Sequence, residues 1–236
     1  MLILAFESSA KPASVAVLDV TTDTDGFKRH KLLGQYFQNN GFSHSRTLLP
    51  MAEALLNNLE IKPADINLVA VAKGPGSFTG IRIGVSAAKG FAWGLDIPVC
   101  GVSTLEAMAC QTRLPETIIC PVMDARREQV YNAVFKWNGN VLERFCADRA
   151  ISIDELADEL SRFNHPIMAV GDGVDVCKKN ISDKNLLDTP EMLQYQTAYG
   201  VALAAIDAEP MDSQLLEPFY LRPSQAERER GKSTSE

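Results

Sequence analysis

The sequence predicts an α/β protein of two lobes separated by a cleft, each lobe built in the order βββαβαβ. Two observations carry the prediction. Runs rich in β-branched and apolar residues alternate with stretches of helical periodicity through the middle of the chain, the pattern of parallel crossovers. A succession of three strand-like runs also occurs twice, once near residue 2 and again near residue 117, so the second half restarts the plan of the first. The boundaries that follow are a first lobe over residues 1–102, a second over 103–223, and a charged, apolar-poor tail over 224–236 that should be disordered.

In the first lobe, LILAFESS and SVAVLDV read as two strands joined by a polar turn, with HKLLGQYFQ as a third. From Ser43 the period changes. Leu48, Ala52, Leu55, Leu56 and Leu59 fall on one helical stripe, and Ser43 is placed to cap the helix. Pro50 lies inside that pattern, where it either kinks the helix or marks its true first turn. INLVAVAKG is then a buried strand running into a glycine loop, TGIRIGVSAAKGFAWGL a helix, and IPVCGVS a further strand.

After TLEAMACQTR, a connecting helix, the runs TIICPVMDA, EQVYNAVFKWNG and NVLERFCADR are again three strands in succession. SIDELADELSRF is a helix whose Ser152 and Glu155 have the spacing of a capping box. PIMAVGDGV is a strand ending in a glycine turn, and PEMLQYQTAYGVALAAIDAE a long C-terminal helix.

With 46% hydrophobic and 22% charged residues among 236, the chain has the composition of an ordinary globular protein that can bury a core. Its formal net charge of -7 excludes a protein that holds nucleic acid by its overall field, so any nucleic-acid role is indirect or confined to a local patch. The opening MLILAFESSAKPASVAVLDV has no basic leader, and its first apolar run stops at Glu7. It reads as neither secretory signal nor membrane span, and the expectation is a cytoplasmic protein. Cys100, Cys110, Cys120, Cys146 and Cys177 form no CxxC pair and read as buried or incidental thiols in a reducing compartment.

The stretch KGPGSFTGIRIGVSAAKGFAWG, from Lys73 to Gly94, imitates a phosphate loop. A P-loop requires lysine after its second glycine, where Ile81 follows Gly80, and a dinucleotide fingerprint requires glycine where Thr79 stands. Gly74-Pro75-Gly76 then reads as a rigid turn, with Ser77 or Thr79 capping the next helix. Along that helix small residues recur at Gly80, Gly84, Ala87 and Ala88, with Phe91 and Gly94 continuing the face. Each mid-helix glycine costs about 1 kcal/mol relative to alanine. The compensating gain is either close packing on the helix's own sheet or the close approach of another helix, from this chain or a second one.

Other chemistry is sparse. His30, His44 and His165 make no HExxH and no pair one helical turn apart, so a metallopeptidase has nothing with which to ligate zinc, and His44 reads as a capping or surface residue. No G-x-S-x-G elbow is present. Asp124, Arg126, Arg127 and Glu128 form a charge cluster at a strand-to-strand turn, read as a solvated hairpin or interface patch, with a basic substrate site as the alternative.

A duplicated βββαβαβ plan is similar to that of the actin, Hsp70 and sugar-kinase superfamily, an actin-like ATPase fold in which two β-turn loops hold nucleotide phosphates in the cleft. The matching segments here are FESSAKPAS and VGDGV, and Glu7, Gly74, Gly171 and Gly173 are the candidate nucleotide-proximal residues. The first segment has no glycine between Glu7 and Ser14, although close backbone approach to phosphate usually needs one.

Within this frame GPGSFTGIRIGVSAAKGFAWGLDIPVCGVSTLEAMA resembles the defining block of the bacterial TsaB (YeaZ) family of tRNA threonylcarbamoyladenosine biosynthesis. ILAFESSAKPASVAV, SHSRTLLPM, DARREQVYNAVF and EPFYLR match in the family's order and extend the resemblance over nearly the whole chain. The resemblance implies a non-catalytic scaffold. TsaB-like proteins are similar in fold to TsaD, the metal-binding enzyme that transfers threonylcarbamoyl to the adenosine following the anticodon, but lack its histidine metal motif.

The resemblance further implies pairing with TsaD through first-lobe helices, on a surface also used for homodimerisation. The small ATPase TsaE joins that assembly, and tRNA is contacted only indirectly. Carried onto this sequence, the contact helices begin at Ser43 and Thr79, and the implied interface is Ser43, His44, Leu48, Ala52, Leu55, Gly80, Arg82, Gly84, Ala87, Ala88 and Phe91. No metal and no resident cofactor are implied, with ATP or ADP confined to the assembled interface. Glu7 departs from the aspartate that many relatives carry at the end of the first strand. Two other classes compete: a stand-alone actin-like ATPase or kinase, and a glycoprotease-like metallopeptidase.

Overall fold

The computed structural model describes residues 1–41, 43–126, 128–182 and 185–222. Its first sheet has the order β3-β2-β1-β4-β5, formed by β1 (Leu2–Glu7), β2 (Ala13–Thr22), β3 (Lys28–Gln38), β4 (Leu68–Gly74) and β5 (Val99–Ser103). β1 is central. Ala5 pairs with Ala16 of antiparallel β2 on one side and with Ala70 of parallel β4 on the other, which is why this strand is a continuous apolar run rather than an alternating one. Leu4 and Phe6 face one core and Ile3 and Ala5 the opposite one.

Two helices cover the Leu4–Phe6 side: α1 (His44–Asn58) and α2 (Phe78–Leu95). Ser43 occupies the N-cap position of α1, but its hydroxyl pairs with the Ser45 hydroxyl at 2.8 Å instead of capping the helix. Pro50 stands inside α1, beyond its first turn. Ser77 caps α2, accepting from the Gly80 amide at 3.3 Å.

The second sheet has the order β10-β7-β6-β8-β9, with β11 paired to β6 from outside that path. It comprises β6 (Ile118–Asp124), β7 (Gln129–Asn132), β8 (Phe135–Asn138), β9 (Val141–Arg144), β10 (Arg149–Ser152) and β11 (Ile167–Val170). The expected strand EQVYNAVFKWNG is broken at the buried pair Ala133 and Val134 into β7 and β8, and NVLERFCADR divides into β9 and β10. α4 (Ile153–Leu160) begins with the capping box formed by Ser152 and Glu155. β11 is parallel to β6 and leads through a glycine turn to α5 (Val174–Asn180). The final strand of the duplicated plan is reduced, among the described residues, to a single bridge between Ile167 and Leu186.

Two helices lie where the lobes meet. α3 (Thr104–Gln111) presents Ala107 to the first sheet, and Leu105, Met108 and Ala109 to Ile119, Met123 and Val170 of the second lobe. The long C-terminal helix expected from PEMLQYQTAYGVALAAIDAE is shorter, because Glu191–Gln194 is a separate helical turn and α6 spans only Ala198–Ala205. α6 also belongs to the first lobe: Ala198, Val201, Ala202 and Ala205 pack on Ile3 and Ala5. The chain then continues along the first lobe, with Met211 bridging Val99 and Leu216 entering the core under α2. Assigning all of 103–223 to the second lobe is therefore corrected, since the apolar surface of AYGVALAA is buried against β1 and β2. Arg127 and the expected tail 224–236 lie outside the described residues. Among the described residues no helix is long and apolar enough to cross a membrane.

Candidate functional site

The glycine loop after β4 lies against the β1–β2 hairpin, and the backbone there is engaged internally. The Ser77 amide donates to Ser9 O at 2.6 Å, and the Ser9 amide donates to Glu7 Oε1 at 2.6 Å. The Phe219 amide donates to Lys73 O at 2.6 Å, so close that a side chain on Gly74 would run into the Phe219 carbonyl. In the second lobe the Gly171 amide donates to Leu193 O at 2.9 Å and the Gly173 amide to Val122 O at 3.1 Å. A cleft of about 850 Å³ separates these two regions, yet its walls run through Ser9, Pro75, Gly76 and Asp172 rather than through Glu7, Gly74, Gly171 or Gly173. The four candidate nucleotide-proximal residues are thus neighbours of the cleft, not its lining.

Glu7 at the end of β1 is 1% exposed, and among the described residues its Oε2 has no hydrogen-bond partner; neither has the Ser9 hydroxyl beside it. Burial pushes the Glu7 carboxyl up to about 7, Ser9 draws it back, and Asp172 across the cleft raises it again. Asp172 opens onto the cleft but is crowded enough that desolvation raises its carboxyl too, with the Gln196 amide, 2.9 Å away, drawing it back and Asp124 raising it further. His44 bridges helix and hairpin, its Nε2 lying 2.9 Å from Ala10 O. Asp124 and Arg126 line the same cleft at the β6–β7 hairpin, where Asp124 Oδ1 accepts from the Arg126 amide at 2.7 Å. Among the described residues no three His, Cys, Asp or Glu side chains form a group that could hold a metal ion.

The helix pair divides the implied interface in two. Leu48, Ala52 and Leu55 of α1 are buried in the first core, as are Gly80, Gly84 and Ala88 of α2. A β-carbon on Gly84 would lie 2.5 Å from the Ser8 hydroxyl oxygen, and one on Gly80 would run into the Ser8 carbonyl. Ala52, Leu55, Gly84 and Ala88 are the face by which the two helices hold their own sheet, whereas Leu48, though buried, also lines the outward groove between the helices and Gly80 the inter-lobe cleft. Phe91 is half-buried, its ring set edge-on to Phe6 at 6.4 Å. Ser43, His44, Arg82 and Ala87 reach the surface.

What the two helices offer outward is a shallow groove of about 390 Å³ lined by Ser45, Leu49, Arg82, Ile83, Ser86 and Ala87. Leu49 is 50% exposed there, and Trp93 farther along α2 is 73% exposed. Gly90 and Gly94 continue the outward stripe, and among the described residues nothing stands within 4 Å of where their β-carbons would be. Leu49, Ile83, Ser86, Gly90 and Trp93 are absent from the interface implied by the sequence. Their signal was the i, i+4 series Ser86, Gly90, Gly94, which runs opposite the series Gly80, Gly84, Ala88.

The fold and site define a two-lobed α/β protein whose first-lobe helices present an open, small-residue face. Residues 40–228 match the family described as "TsaD: tRNA N6-adenosine threonylcarbamoyltransferase". The tRNA threonylcarbamoyladenosine biosynthesis protein TsaB of Bacillus subtilis (strain 168) is 32% identical over 231 residues, covering 96% of each chain. That of Haemophilus influenzae is 28% identical, covering 93% of each chain. In three dimensions, YeaZ from Pseudomonas aeruginosa superposes with a TM-score of 0.72 at 22% identity, over 93% of this chain and 99% of that one. The chain belongs to the TsaB family of tRNA threonylcarbamoyladenosine biosynthesis proteins, within the wider TsaD family.

Proposed function

We propose that this chain is a non-catalytic subunit of tRNA threonylcarbamoyladenosine synthesis that docks TsaD on the outward face of α1 and α2 and holds it in a competent form, with TsaE joining the assembly. The observation that carries the reading is the pair Gly90 and Gly94. Each is open among the described residues, neither is required by packing against them, and Gly90, inside the helix, costs about 1 kcal/mol relative to alanine. A second helix lying against α2 at close range is what such positions accommodate. In the absence of TsaD the same face serves a second copy of this chain, and tRNA is reached only through TsaD, in keeping with the net charge of -7.

The reading assigns no resident nucleotide or metal to the isolated chain, a cytoplasmic setting, and ATP or ADP only to the assembled interface. The competing ATPase or kinase reading needs backbone N–H groups turned to a phosphate, and those of Ser9, Ser77, Gly171 and Gly173 already have protein acceptors. Reconstitution decides between them. Purified TsaD and TsaE, supplied with ATP, a threonylcarbamoyl-adenylate donor and substrate tRNA, should modify the tRNA fully only when this chain is added; full modification without it overturns the scaffold reading. Micromolar ATP binding by the isolated chain would favour the ATPase, and stoichiometric zinc or iron with peptide cleavage would favour the metallopeptidase.

A further inference from the structure

After α6 the chain runs as a strap along the first lobe and reaches the second at Arg222. Lys89 Nζ of α2 donates to the carbonyls of Gln214 and Leu216, both at 3.1 Å, and Leu216 is buried in the first core. The Phe219 amide then donates to Lys73 O, and the Tyr220 ring stacks on Phe78 with centroids 4.7 Å apart. Two residues farther on, Arg222 Nη1 donates to Ala125 O at 3.1 Å, across the cleft at the β6–β7 hairpin, with its guanidinium 5.9 Å from the Tyr131 ring centre. Residues 219–222 line the cleft together with both lobes.

Arg82 joins this strap to the groove. Its guanidinium carbon sits 3.8 Å above the Phe78 ring and its Nε donates to the Tyr220 hydroxyl at 2.9 Å, yet the same residue lines the groove between α1 and α2. A carboxylate that binds Arg82 side-on, across Nε and one Nη, competes with the Tyr220 hydroxyl for the Nε–H, and the charged acceptor is the stronger.

We propose that residues 217–222 form a latch across the inter-lobe cleft, closed by Arg222 on Ala125 and held by Arg82 on Tyr220, so that a ligand claiming Arg82 in the groove releases the cleft. The groove's role as a docking face rests on the function proposed above; the latch itself does not. A conformational equilibrium held by one part-buried and one exposed hydrogen bond shifts by about tenfold when one charged bond is removed.

Hydrogen–deuterium exchange of the isolated full chain tests this. Arg222→Ala should accelerate exchange about tenfold at the Phe219 amide and in the cleft-edge segments 8–12 and 171–173, leaving β1 and α6 unchanged. Arg82→Ala should do the same through loss of the Tyr220 contact. Wild-type exchange at both cleft edges in Arg222→Ala overturns the latch, and so does uniform acceleration through β1 and α6, which marks a weakened fold. Release of Phe219 in Arg82→Ala with unchanged cleft edges overturns the coupling. Because no partner is present, failure of TsaD to bind would sink the scaffold reading without altering any of these results.

Discussion

The Ser8 hydroxyl is shared between two glycines of α2: it donates to Gly80 O at 2.9 Å, and it stands 2.5 Å from where a Gly84 β-carbon would be. That contact decides what a substitution at 84 measures. Gly84→Ala must displace Ser8 or Val71 and should cost about 1–3 kcal/mol in urea unfolding. Gly84→Arg, at a position within the interface implied by the resemblance, would place a charge against the first core and should leave the first lobe unfolded. A Gly84→Arg protein with native near-UV dichroism would show that α2 lies differently on its sheet.

Gly90 is the complementary case. With open space around it, Gly90→Ala should stabilise the isolated chain by about 0.5–1 kcal/mol, because alanine removes backbone freedom from the unfolded state and meets nothing in the folded one. Ser86→Arg should unfold at wild-type denaturant and Gly90→Arg at or above it, arginine being nearly as good a helix former as alanine, while each loses TsaD in a titration by at least tenfold. Wild-type affinity in both would move the docking surface off this face.

These two positions also show how far the sequence can be read. That small residues on the 78–95 helix answer to close approach is legible from the cost of glycine alone. Which glycines face inward is not, because α2 carries small residues on both sides, and only the position of Ser8 on the neighbouring hairpin separates Gly84 from Gly90. The alternation of elements was legible for the same reason that it is robust, since periodicity depends on burial on one face. The return of α6 to the first lobe was not, because AYGVALAA is apolar nearly all round and its period names no neighbour. The latch was invisible for a simpler reason: EPFYLR contains the anchors, but Lys73, Arg82 and Ala125 lie about 100 or more residues away in sequence.

The strap is seated by Leu216. This side chain is 1% exposed and fits so tightly that a β-carbon on Gly101 would lie 2.6 Å from its Cδ1. Leu216→Ala should therefore cost about 2–5 kcal/mol, the range for a large-to-small change in a core that cannot collapse onto the gap. Its neighbour Leu215 is 71% exposed, and Leu215→Ala should fall within about 0.5 kcal/mol of wild type. Equal effects in thermal unfolding would show that the strap does not contribute to the first core.

Glu7 should give the protein an unusual pH profile. Its carboxyl moves from an unfolded value near 4.5 to about 7 in the folded chain, so between those limits the folded state binds the proton that the unfolded state has lost. The stabilisation is complete below about 4.5 and is lost as pH rises through 7, by an amount on the order of 1–3 kcal/mol. Asp172 is raised in the same sense and adds a smaller slope of its own. Glu7→Gln keeps an oxygen for the Ser9 amide and offers an N–H toward the unpartnered Ser9 hydroxyl, while carrying no charge at any pH. Urea titrations at pH 5, 6, 7 and 8 should show wild type losing stability with pH while Glu7→Gln keeps only the residual slope of Asp172, so that the variant is the more stable protein at pH 8. Parallel profiles for the two proteins would mean that Glu7 is ionised in the folded state, and that the buried end of β1 solvates a carboxylate after all.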